Sequence, residues 1–245
     1  MMLSLVIPRC DGSELLRLLA EGADRLSRVL PYPFEVVCVH GPGEDVPGHR
    51  PGIRWLQSDR DSHGQRVRVG MLGARGRYRV LLDPRWLVAP EQLQLLLPPV
   101  HTGFDICIGS RLVSGASCEQ DRFIDRGKRL GWSLVASRFL TPKLLDALSP
   151  VQVYRSDAAR ALFSRALEEG HAITVETLSL ADRMGLFVQE QPIDFHAAHD
   201  RRGLWLGEAR DLLLALGRVR LRMESGAYPL LNLPLPPVTQ RHPRA

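Results

Sequence analysis

Cysteine is scarce in this chain, and none of its four residues sits where cysteine chemistry needs it. Cys10, Cys38, Cys107 and Cys118 form no Cys-x-x-Cys pair and no zinc-like spacing, which argues against a zinc ribbon or a redox dithiol. Three of them lie in apolar, strand-like runs and read as small buried thiols of a reducing compartment. Aromatic residues make up only 6% of the chain and none interleaves with a basic run, so no nucleic acid is expected as a partner. No apolar run approaches the roughly 20 residues that span a bilayer. Residues 1–8 lack the basic and apolar regions of a secretory leader. The expected location is cytoplasmic, with a peripheral contact at the inner membrane face left open.

What remains is an ordinary globular composition, 44% hydrophobic and 24% charged over 245 residues, enough for one large α/β domain. The net charge of +5 suggests an anionic partner without by itself choosing between a nucleotide, a phosphorylated lipid, a membrane surface and nucleic acid. The expected organisation is a single domain over 1–224, with halves 1–112 and 113–224, followed by a proline-rich tail over 225–245.

Along the chain, short apolar runs alternate with helical spacing. Strands are expected at 3–7, 34–39, 53–56, 78–82, 104–108 and 151–155, with a further extended segment at 187–192. Helices are expected from Ser13, over 64–74, from Pro90 to about Leu97, over 126–139, 156–167 and 175–184, and over 204–223. Residues 114–125 are polar and read as a mobile loop. The alternation predicts a mainly parallel, wound sheet with helices on both faces. In the last helix Leu212, Leu213, Leu216, Val219 and Met223 share one stripe, while Leu214 and Leu221 form a second apolar line one heptad apart.

Val80-Leu81-Leu82 reads as a strand covered on both faces, and it breaks at Asp83-Pro84. A carboxylate is thereby set at the carboxyl end of a buried strand, the edge at which wound sheets bind ligands. The same two residues also fit a plain Asp-Pro turn.

A set of spaced motifs resembles one family. They are Val6-Ile7-Pro8, Glu35-Val36-Val37-Cys38-Val39, Gly64, Gly70 through Tyr78, Leu82-Asp83, Ala89-Pro90-Glu91-Gln92-Leu93, Ile108-Gly109-Ser110-Arg111, Val175-Glu176-Thr177-Leu178 and Val188 through Ile193. In order and separation they resemble the family 2 glycosyltransferases of GT-A fold, particularly the polyprenyl-phosphate sugar transferases, over nearly the whole chain. The resemblance implies a nucleotide-sugar donor and a lipid-phosphate or other anionic acceptor. It places donor contacts at Pro8, Asp11, His40, Asp45 and Gly64, reaction-centre residues at Asp83, Arg85 and Glu176, and acceptor contacts at Arg111, Arg126, Lys128, Arg129 and Asp146.

The polar positions depart from the family. Asp11-Gly12 stands in place of Asn-Glu, and His40-Gly41-Pro42-Gly43 with Asp45 in place of an aspartate-rich run. The metal-binding Asp-x-Asp becomes Asp83-Pro84-Arg85. The family's Mg²⁺ or Mn²⁺ is disfavoured at Asp83, because a hard dication wants several oxygens and is repelled by a guanidinium. One reading is a transferase in which Arg85 supplies the positive charge at the diphosphate. The other is a fold kept after catalysis was lost, serving as a binding or scaffold partner. Glu176 fits a substrate-orienting base or a structural ion pair. His196, His199, Asp194 and Asp200 cluster without a fourth partner at metal-ligand spacing.

Overall fold

The computed structural model describes residues 3–9, 24–30, 32–44, 46, 52–83, 86–119, 123–141, 143–197 and 206–228. Its elements are β1 (Leu3–Ile7), α1 (24–29), β2 (Phe34–His40), β3 (Ile53–Gln57), α2 (His63–Gly73), β4 (Tyr78–Leu82), β5 (Trp86–Leu87), α3 (Pro90–His101) and β6 (Ile106–Ser110). They continue with β7 (Ser117–Glu119), α4 (Phe123–Leu140), β8 (Val151–Arg155), α5 (Ser156–Phe163), α6 (Ile173–Arg183), β9 (Val188–Pro192), β10 (Asp194–Ala197) and α7 (Leu206–Glu224).

Seven strands form one sheet in the order β3-β2-β1-β4-β8-β6-β9. All run parallel except β8, which is antiparallel to β4 and β6. The sequence predicted a mainly parallel sheet, and β8 is its one reversal. The chain reaches β8 from the rim where the parallel strands end and runs back down between two of them. Strand order turns around at β1 and β4, which are neighbours with Val6 opposite Leu81. This is the switch point at which open α/β sheets leave a crevice beyond their carboxyl ends.

Alternation along the strands divides the core. Leu3, Leu5 and Ile7 of β1 face a cluster with Leu26 and Leu30 near α1 and Leu93, Leu96 and Leu97 of α3. Val6 faces the other layer, built from α2, α4, α5, α6 and α7. In α2, a Cβ added at Gly70 would lie 2.5 Å from Val6 Cγ1 and 3.0 Å from Val39 Cγ2. The helix therefore sits directly on β1 and β2, as the small residues in its sequence suggested.

Three expectations need correcting. The polar stretch 114–125 is not all loop: it holds β7 and the start of α4. β7 pairs in parallel with β10, which pairs antiparallel with β5, making a second, three-stranded sheet. Helix α4 begins at Phe123, so Arg126 closes its first turn and Lys128 and Arg129 lie beyond it rather than at the helix start. Helix α3 runs through Pro98 and Pro99 to His101, its end closed by the Thr102 amide donating to Pro98 O at 3.0 Å.

Candidate functional site

Among the described residues, the rim at the carboxyl ends of the parallel strands collects His40, Asp83, Arg111 and Asp146. Asp83 follows β4 at the switch point, half-buried, and its amide donates to Pro150 O at 2.9 Å. That bond ties the residue to the segment leading into β8 and fixes its backbone at the crevice. Pro8 caps β1 beside it and is buried. His40 ends β2, its ring Nδ1 3.2 Å from Gly41 O and its ring edge-on to Trp55. Asp11, Asp45 and Arg85 lie outside the described residues, as do His199 and Asp200. For Arg126, Lys128 and Arg129 the helix backbone alone is described.

Beside His40, the loop after β2 is locked to α2 by an ion cluster that sequence reading missed. The buried Arg66 guanidinium donates to Glu44 through Nη1 at 2.9 Å and Nη2 at 2.6 Å, and also to Asp61. Glu44 additionally accepts from the Gly41 amide at 2.7 Å. Hydrogen bonding to Arg66 brings the Glu44 carboxyl down to about 2, so it stays an anion throughout the neutral range. The signal was present in the sequence: Arg66 stands four residues before Gly70 and shares its sheet-facing side, and a cation there requires an acidic partner.

A second cluster lies at the ends of β6 and the start of β8. Asp146, fully buried, accepts from Arg111 Nε at 2.8 Å, Nη2 at 2.7 Å and the Arg111 amide at 2.9 Å, and from Ser133 Oγ at 2.7 Å. Arg111 also reaches Leu148 O at 2.9 Å. Burial alone would raise the Asp146 carboxyl, but the charge and hydrogen bonds of Arg111 outweigh it and hold the group below the usual carboxylate range. Glu190 of β9 completes the arrangement, accepting from the Leu145 and Asp146 amides at 2.8 and 2.9 Å. Two of the five residues expected at the acceptor, Arg111 and Asp146, are thus brought together, and each engages the other.

Glu176 and Gly64 belong to the packing of this rim. The Glu176 carboxylate is fully buried and accepts from the amides of Leu167 at 3.0 Å and Glu168 at 2.9 Å and from Tyr228 Oη at 2.5 Å, with Arg222 Nη1 at 3.8 Å. These contacts tie α6 to the segment after α5 and to Tyr228 beyond α7. The Gly64 amide donates to Glu169 O at 2.7 Å, and a Cβ there would lie 2.8 Å from Glu169 Cα. Asp194 is engaged by Gln92, whose Nε2 lies 3.1 Å away, and by Ser117. Among the described residues, no group of three or more His, Cys, Asp or Glu side chains is arranged to hold a metal ion.

No protein-family model matches the chain, and no curated protein matches its sequence. Solved structures do match over most of its length. A mycobacterial protein superposes with a TM-score of 0.65 at 16% identity, over 92% of this chain and 75% of the other. Glucosyl-3-phosphoglycerate synthase from Mycobacterium tuberculosis, in complex with Mn²⁺, UDP-glucose and phosphoglyceric acid, gives 0.66 at 14% identity, over 89% of this chain and 79% of that one. The same enzyme with phosphoglyceric acid alone gives 0.63 at 16% identity, over 92% and 80%. The chain has the GT-A fold, as the family resemblance implied.

Proposed function

We propose that this protein transfers a glycosyl group from a nucleotide sugar to a phosphate-bearing acceptor. The observation that carries the proposal is the position of Asp83, at the end of β4 and at the switch point of a GT-A sheet. The structurally similar synthase was captured with UDP-glucose and phosphoglyceric acid, which makes a uridine diphosphate sugar the first donor to try. In the reaction the bond between the anomeric carbon and the diphosphate breaks, its electron pair leaving on the nucleoside diphosphate, while an acceptor oxygen bonds the same carbon.

The divalent metal of this fold does not fit the residues present. Asp83 is followed in sequence by Pro84 and Arg85, and one carboxylate beside a guanidinium is a poor site for a hard dication. The proposed source of positive charge toward the diphosphate is Arg85, through paired charge-assisted hydrogen bonds. The test is transfer of radiolabelled glucose from UDP-glucose to 3-phosphoglycerate and, in a parallel arm, to a polyprenyl phosphate, each with EDTA and with Mn²⁺. Activity undiminished in EDTA and lost in Arg85→Ala is the expected result. Turnover that requires Mn²⁺, or that survives Arg85→Ala, overturns the metal-independent mechanism.

A second reading rests on the pairing of Arg66 with Glu44 and of Arg111 with Asp146. In it the rim is a structural surface and the protein a non-catalytic partner. Calorimetric titration separates the two: heat on adding UDP-glucose or GDP-mannose supports the transferase, and none with either sugar, with or without Mn²⁺, supports the scaffold.

A further inference from the structure

Helix α7 turns one face inward and leaves another without cover. Leu212, Ala215, Leu216, Val219 and Met223 are buried in the core layer. On the outer side Leu213, Leu214 and Leu221 are 46%, 51% and 67% exposed, which is unusual for three large apolar side chains within nine residues of one helix. Arg210, Leu214, Gly217, Leu221 and Glu224 follow one another at alternating spacings of four and three, a heptad seam on the solvent side. Among the described residues, nothing lies within 4 Å of a Cβ added at Gly217, so the centre of the seam has room for a second backbone.

The charges specify what covers it. Arg210 stands at one end of the seam and Glu224 at the other, and the pairs Leu214/Leu221 and Arg210/Glu224 are both centred on Gly217 to within one residue. Such a helix is its own complement when a second copy lies antiparallel. Leu214 then meets the partner's Leu221, Arg210 meets the partner's Glu224, and the two Gly217 backbones cross at the axis. A parallel pair would oppose Arg210 to itself and Glu224 to itself. An anionic bilayer would repel Glu224 and the exposed Asp211, while Arg218 and Arg222 are already drawn to Glu168 at 2.8 and 3.2 Å.

We propose that the outer face of α7 is a two-fold, antiparallel self-association surface of this chain. Three leucines with two flanking ion pairs make a contact small against the roughly 800 Å² per partner of a standard interface, so the association is expected to be weak and reversible. Glu224 keeps Arg220 at 2.9 Å on its own helix, and the partner's Arg210 adds a second cation to it.

Sedimentation velocity of the full chain, from low micromolar to a few hundred micromolar, is the test. The expected result is a monomer–dimer equilibrium that Leu221→Glu abolishes. Arg210→Glu and Glu224→Arg should each weaken it about tenfold or more, and the double variant carrying both should recover most of the affinity. All these positions are exposed, and unchanged circular dichroism melts confirm that the variants fold. A wild type monomeric throughout, a dimer indifferent to Leu221→Glu, or a double variant no better than the singles overturns the proposal. So does a monomer that co-sediments with phosphatidylglycerol vesicles through Leu221.

Discussion

A carboxylate with no access to water persists as an anion only if the protein replaces every oxygen–water contact, and Asp146 receives four donors for that purpose. Truncating Arg111 strips two of them, the Nε and Nη2 donors, with the only cation that pairs the charge among these contacts, while the residue 111 amide and Ser133 remain. Arg111→Ala should therefore cost about 3–5 kcal/mol in urea unfolding, with Arg111→Lys recovering only part, since an ammonium cannot fork across both oxygens. Glu44 gives a pH signature. Its folded value, about 2, lies below the ordinary 4.5, so its contribution is complete above pH 4.5 and is lost as pH falls from there toward 2. Because Glu44 is about one-third exposed, solvent screening keeps that contribution near 1 kcal/mol. Glu44→Gln should lower stability at pH 7 and flatten the acid limb between pH 4.5 and 2, read from denaturant midpoints. Asp83 was legible in the sequence because a strand signal ends on it. That Arg66 needs an acid was legible too, but not that Glu44 supplies it, because their pairing spans 22 residues and the spacing of neither says which acid meets which base.

Between elements, the tightest constraint is the approach of α2 to the segment after α5. The Gly64 amide bonds Glu169 O, Arg68 reaches Glu168 O at 2.9 Å and Glu169 at 2.7 Å, and the rings of His63 and His171 lie 4.0 Å apart. Glu168 in turn holds α7 through Arg218 and Arg222. A methyl at position 64 would press on the backbone of Glu168 and Glu169, which cannot yield as a side-chain tip can. Gly64→Ala is expected to cost about 2 kcal/mol or more, and hydrogen exchange in 164–171 and α7 should rise ahead of exchange in β1 and β4. The long strands and helices were readable because their periodicity is local. β5, β7 and β10 were not: they are two to four residues long and exist only because their ladder partners come from distant parts of the chain. The reversal of β8 was hidden for a related reason, since an apolar run carries no sign of its direction.

At the scale of the whole molecule, the donor site proposed at the ends of β1 and β4 would couple ligand binding to global stability. A ligand that binds only the folded state stabilises it by about 2.7 kcal/mol at one hundred times its dissociation constant. For a chain of this size each kcal/mol moves the melting temperature by about 2–4 °C, so saturating UDP-glucose should raise it by roughly 5–10 °C. If Arg85 carries the diphosphate charge, the shift will be the same in EDTA as in Mn²⁺. Asp83→Asn keeps the backbone amide that bonds Pro150 and should leave the unliganded melting temperature within about 2 °C, the usual effect of a mild substitution at a half-exposed site, while removing the ligand-induced rise. Differential scanning fluorimetry reads all four combinations of variant and metal. A rise that persists in Asp83→Asn would place the nucleotide sugar away from the switch point, and a rise seen only with Mn²⁺ would return the metal to a site that the sequence Asp83-Pro84-Arg85 argues against.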